Sequence, residues 1–192
     1  MTRLSNTRSR LAAAGALALA VVGVTAPSAG ATAASATLTA GSLGFVSAPS
    51  AVTFPSTALN GLNQTLTANQ TLDIGDATGS GAGWNITATS TTFTSGANTL
   101  GTSSTTIATA PSAPTCDSNS TCTVATAAAG VTYPYSLPAG TTAPTATKLY
   151  SASAGTGLGD QSFTPTWSLA VPSKAVAGSY TSTWTLSLVS GP

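Results

Sequence analysis

The sequence has no histidine and no glutamate, and among 192 residues only five Lys or Arg and four Asp. Without His, neither a Ser–His–Asp nor a Cys–His nucleophilic system can be built. A glycosidase needs two carboxylates facing each other across a cleft. Asp73 and Asp76 instead fall in one turn-like stretch. Lys148 and Lys174 lack the Ser three residues earlier that a Ser-x-x-Lys pair requires. An enzyme is therefore not expected. Clustered Lys and Arg are also missing, which excludes the usual footprint for nucleic acid and for a polybasic membrane contact. No metal site is expected, because the two Cys have no His to join them and the carboxylates do not follow a calcium-loop spacing. The Gly-rich run Gly75–Gly83 has no Lys placed to cradle a phosphate, so it reads as a turn. No cofactor is expected.

The basic residues that exist are concentrated at the start. Arg3, Arg8 and Arg10 precede an apolar run from Leu11 to Val24. A stretch of small residues follows, with Ala-x-Ala sites ending at Ala31, Ala33 and Ala36. This three-part pattern predicts a Sec signal peptide over residues 1–36, cleaved after one of those alanines. The run is short for a bilayer span, so no integral membrane segment is expected in the mature protein. No Arg pair marks a twin-arginine route, and no Cys follows the run to carry lipid. Removing the leader takes the formal charge from +1 to −2, since three Arg leave and two Lys and four Asp remain.

What is abundant points to strands. The polar residues are mostly Thr, Ser, Gly and Asn, the first a strand former and the others turn formers. Prolines scattered through the mature region leave little room for long helices. Period-two alternation is clearest in Tyr180–Leu188, where Tyr180, Trp184, Leu186 and Leu188 share one face and Thr181, Thr183, Thr185 and Ser187 the other. Phe163, Pro165, Trp167, Leu169 and Val171 alternate in the same way. Strands are also expected within Leu38–Val46, Val52–Leu59 and Thr65–Ile74. Another starts at Trp84, with Ile86 and Ala88, and Phe93 breaks its phase. Short strands punctuated by Gly and Pro predict an all-β, antiparallel β-sandwich of Ig-like or jelly-roll-like kind, a single domain over 37–192. Residues 101–160 are expected to be loop-rich. Within them, Cys116 and Cys122 enclose five residues. In an exported chain this pair is expected to form a disulfide.

Two blocks carry a resemblance. Trp184-Thr185-Leu186 follows Ala177–Thr183 near the C-terminus, and Trp84-Asn85-Ile86 follows the turn beginning at Asp76. Their order and spacing resemble the WxL-domain family of Gram-positive surface proteins. Ile86 stands where that pattern has Leu. Trp167-Ser168-Leu169 fits the tripeptide but lies outside the usual positions. The resemblance implies a secreted, extracellular protein held non-covalently on the cell wall, with peptidoglycan as ligand and other surface proteins as partners. The final residues show no apolar tail or sorting signal, so retention is expected to come from binding. Trp84, Ile86, Trp184 and Leu186 are the candidate binding residues. Regular alternation offers a plainer role for all four, as core. The alternative function is a structural subunit of a pilus or spore coat, joined by strand addition at an open sheet edge.

Overall fold

The computed structural model describes residues 30 and 32–192. Most of the predicted leader, including the apolar run and the Ala31 site, lies outside the described residues. Ala33 and Ala36 lie in an exposed stretch without secondary structure.

Fourteen strands and no helix make up the described chain. They are β1 (Leu43–Phe45), β2 (Gln64–Asn69), β3 (Leu72–Asp76), β4 (Trp84–Thr91), β5 (Thr94–Ser95), β6 (Asn98–Thr99) and β7 (Thr105–Ile107), followed by β8 (Thr115–Cys116), β9 (Tyr135–Ser136), β10 (Ala139–Gly140), β11 (Thr147–Ala152), β12 (Gly159–Phe163), β13 (Thr166–Val171) and β14 (Trp184–Ser190). The fold is all-β and sandwich-like, as the composition predicts. Its pairing is antiparallel except for the short β10–β4 contact, which is parallel.

One layer is organised on a long two-stranded ribbon. β2 pairs with β13, and β3 pairs with β12. The register runs through both pairs without a slip: Thr166 faces Asn69, and Phe163 faces Leu72. The two halves separate only at Gln70 and Pro165. Gln70 N donates to the Pro165 carbonyl at 3.2 Å, but proline has no N–H to return the bond. Sequence alternation places Phe163 to Val171 on one continuous face. The structure keeps that phase and interrupts the strand at its proline. β1 extends the layer beside β3, while β8 and β7 flank β12 and β13 on the other side.

The second layer centres on β4, with β14 on one side and β10 and β11 on the other. Trp84, Ile86 and Ala88 point inward. The opposite face of β4 is covered too. Asn85 donates to the Gly191 carbonyl at 2.7 Å, and Thr89 to that of Pro144 at 2.7 Å. These bonds let polar side chains be buried without leaving their groups unpaired.

Aromatic contacts join the layers. Trp167 of β13 meets Trp184 of β14 edge to face at 4.7 Å, and Tyr150 of β11 meets Phe163 of β12 at 4.6 Å. Such pairs add about 0.5–1.5 kcal/mol beyond the area they bury.

Two expectations need correction. Leu38 is almost fully exposed, and the first strand is confined to Leu43–Phe45. Val52–Leu59 is not a strand. Val52 and Phe54 alternate inward, but the segment makes no backbone–backbone hydrogen bond among the described residues. Pro49 precedes it and Pro55 lies within it, and each removes a donor that a ladder would need. Within 101–160 most strands are two or three residues long, and the six-residue β11 pairs with β4. Its last four residues are all buried, so it has no alternation to read.

Candidate functional site

The four candidate residues divide into two pairs. Trp84 and Ile86 have no exposed surface. Trp84 Nε1 donates to the Gly157 carbonyl at 3.0 Å, which satisfies its one polar group inside the core. Gly157 has φ +83°, and a Cβ there would lie 2.5 Å from that same nitrogen. Backbone and indole therefore fit only because residue 157 lacks a side chain. Trp84 and Ile86 are core residues, out of a ligand's reach in this conformation.

Trp184 and Leu186 are half-buried. They pack on the core from one side and line a groove of about 1130 Å³ on the other. Leu66, Leu169 and Val171 form the groove's floor in the ribbon layer. Residues 49–59 form one wall, and residues 175–182 form the other. The groove opens where the sandwich is unsealed. Among the described residues, β2 pairs only with β13 and β14 only with β4, so each keeps a free edge there. The two strands joined through Pro172–Gly178, β13 and β14, belong to different layers, which is why the groove lies between them.

Gln70 holds the wall to the floor. It is 3% exposed and lies at the break in the ribbon. Its Oε1 accepts from Trp167 Nε1 at 3.0 Å, and its Nε2 donates to the Ser50 carbonyl at 2.7 Å. An indole N–H can only donate and a carbonyl can only accept, so these partners fix the amide's orientation. Gln64 assists, donating to Thr57 and to the Ala58 carbonyl. Sequence reasoning passed over Gln70. Its one signal was an amide on the otherwise apolar phase of Leu66, Ala68, Leu72 and Ile74.

The charged residues lie elsewhere. Asp76 accepts from the backbone and hydroxyl of Thr78 within its own turn. Asp73 gathers with Asp117 and Asp160 on the ribbon layer. Its carboxyl is held above the usual range, first by desolvation and then by Asp117. Among the described residues, no group of three or more His, Cys, Asp or Glu is placed to hold a metal ion. Cys116 and Cys122 form a disulfide with their Cα atoms 5.5 Å apart. It closes a loop beside β12, where Ser162 donates to Asp117 at 2.8 Å.

No family model, no curated protein and no solved structure matches this chain.

Proposed function

We propose that this chain is an exported, non-enzymatic surface protein of a Gram-positive bacterium that holds the cell wall non-covalently, with peptidoglycan as its ligand. The reading starts from the leader pattern and the likeness to WxL domains. The single observation that carries it further is the groove, where the C-terminal Trp-x-Leu block presents Trp184 and Leu186 to a long, partly aromatic cleft. The disulfide fits a chain that folds outside a reducing cytoplasm. The groove is lined by no Asp, Lys or Arg, so it offers no acid–base pair for hydrolysis and suits retention of a polymer over its cleavage. The test is sedimentation of the purified protein with isolated Gram-positive walls. Wild-type protein is expected in the pellet, and the Trp184→Ala variant largely in the supernatant. A wild-type protein that remains in the supernatant overturns the proposal.

The free edges of β2 and β14 favour a second reading, a pilus or coat subunit that joins its neighbours by strand addition. A ladder of regularly spaced oligomers on a non-denaturing gel would identify that function.

A further inference from the structure

We infer that the groove takes the uncharged glycan backbone of the wall, an N-acetylated sugar chain, in preference to its charged stem peptides; this rests on the wall-binding reading. The first argument is charge. Twenty-eight residues line the groove, from Pro49 to Leu186, and none carries a formal charge at neutral pH. Lys174 directly precedes Ala175 of the wall in sequence but does not line the groove. A carboxylate or ammonium drawn into this cleft would lose water and gain no counter-charge. An acetylated sugar incurs no such penalty.

The second argument is the kind of surface offered. Phe54, Phe93, Tyr180 and Trp184 present apolar edges and faces suited to the C–H faces of pyranose rings and to acetyl methyls. Beside them, the wall at 49–59 leaves its backbone amides without backbone partners. Of its carbonyls, those of Ser50 and Ala58 accept from glutamine side chains. Ser56, Thr57, Ser179 and Ser182 add hydroxyls. Alternating apolar and hydrogen-bonding groups match a polymer of sugars, each ring having both. The volume, about 1130 Å³, lies slightly above the usual range for a single small ligand, as a site for several linked units requires.

The third argument weighs against a peptide. An extended peptide would add to the wall by a backbone ladder. Donors on alternate residues of an extended segment point to the same edge. Pro49 and Pro55 fall on the same alternation as residues 51, 53, 57 and 59, so two of the six donors on that edge are missing.

The experiment titrates purified protein with a soluble oligomer of N-acetylglucosamine and, separately, with a free stem peptide. Tryptophan fluorescence and displacement from walls are followed together. Val176→Asp is the diagnostic variant. Val176 lines the groove and is 54% exposed, so a carboxylate there changes the site without emptying the core. An unchanged urea midpoint establishes that it folds. The oligomer is expected to change the fluorescence and displace the walls, and V176D to weaken both by about tenfold, or 1.4 kcal/mol. Displacement by the stem peptide alone, with V176D behaving as wild type, overturns the glycan inference and leaves wall binding intact. Oligomer binding without wall sedimentation upholds the sugar groove and removes the wall as its target. Binding to neither overturns both.

Discussion

Replacing Gln70 by Met tests whether one amide ties the groove wall to the core. The substitution keeps the length of the side chain and removes both hydrogen bonds. Trp167 is fully buried, so its N–H would lose its Gln70 acceptor with no water to replace it. A stranded buried donor costs about 1–3 kcal/mol. The Ser50 carbonyl is different. Ser50 is exposed and can turn to water, so losing its bond costs about 0.5–1.5 kcal/mol. The thioether is more at ease in the core than an amide and offsets part of this. A net loss of about 1–3 kcal/mol is expected.

Urea unfolding followed by tryptophan fluorescence measures it, with Trp84 and Trp184 still reporting when Trp167 is changed. The decisive form is a double-mutant cycle with Trp167→Phe. Phenylalanine has no N–H to strand, so Gln70→Met should cost about 1–3 kcal/mol less in that background. Limited proteolysis supplies an independent readout, because a wall freed from Gln70 should be nicked faster between residues 47 and 59. A coupling energy within about 0.5 kcal/mol of zero, with unchanged proteolysis, would refute the assignment of Gln70 as the tie.

Gly157→Ala should destabilise by about 2–5 kcal/mol, the sum of a left-handed backbone cost and a clash with the Trp84 indole; a urea midpoint equal to wild type would show that the loop yields. Changing Cys116 and Cys122 together to Ser should cost about 2 kcal/mol, from the short loop the disulfide closes in the unfolded chain. Because β8 is a short edge element, wall sedimentation should persist in that variant. Burial, with smaller contributions from Tyr150 and Tyr135, pushes the Tyr133 hydroxyl up to about 12 from 10.0. The folded pKa exceeds the unfolded one, so the stability it contributes is complete below pH 10 and is lost as pH rises towards 12. Stability measured across that window should fall less steeply in Tyr133→Phe than in wild type.

The fold class was legible because its signals are local. Thr-rich alternation names a strand with one wet face, and β13 and β14 show it in the predicted phase. Strands buried on both faces left no such trace. β4 reads as alternating only because its second buried face is polar, with Asn85 and Thr89 finding carbonyls far along the chain. β11 has Lys148 beside Leu149 and Tyr150, which gives no period at all. The misreading of Val52–Leu59 has the opposite cause. Val52 and Phe54 alternate because they face the groove, and alternation records which side is apolar, not whether the backbone is paired. The tie at Gln70 depends on Trp167, nearly a hundred residues away, and no local pattern could pair them.

The divided fate of the Trp-x-Leu blocks follows from strand position alone. Trp84, Trp167 and Trp184 each stand two residues before an aliphatic partner on the inner face of a strand. Two residues is the shortest step that returns to one face, so the tripeptide describes how a wide gap between sheets is filled. β4 and β13 have neighbours on both sides, and their indoles are sealed. β14 has a neighbour on one side only, so the same geometry leaves Trp184 half in the core and half in the groove. Trp184 touches Trp167, whose N–H is held by Gln70, which in turn holds Ser50 of the groove wall. Contact with a ligand at Trp184 is therefore one residue away from the amide that fixes the wall's position. A Gln70 variant that folds should thus weaken binding at the groove even if Gln70 itself never meets the ligand.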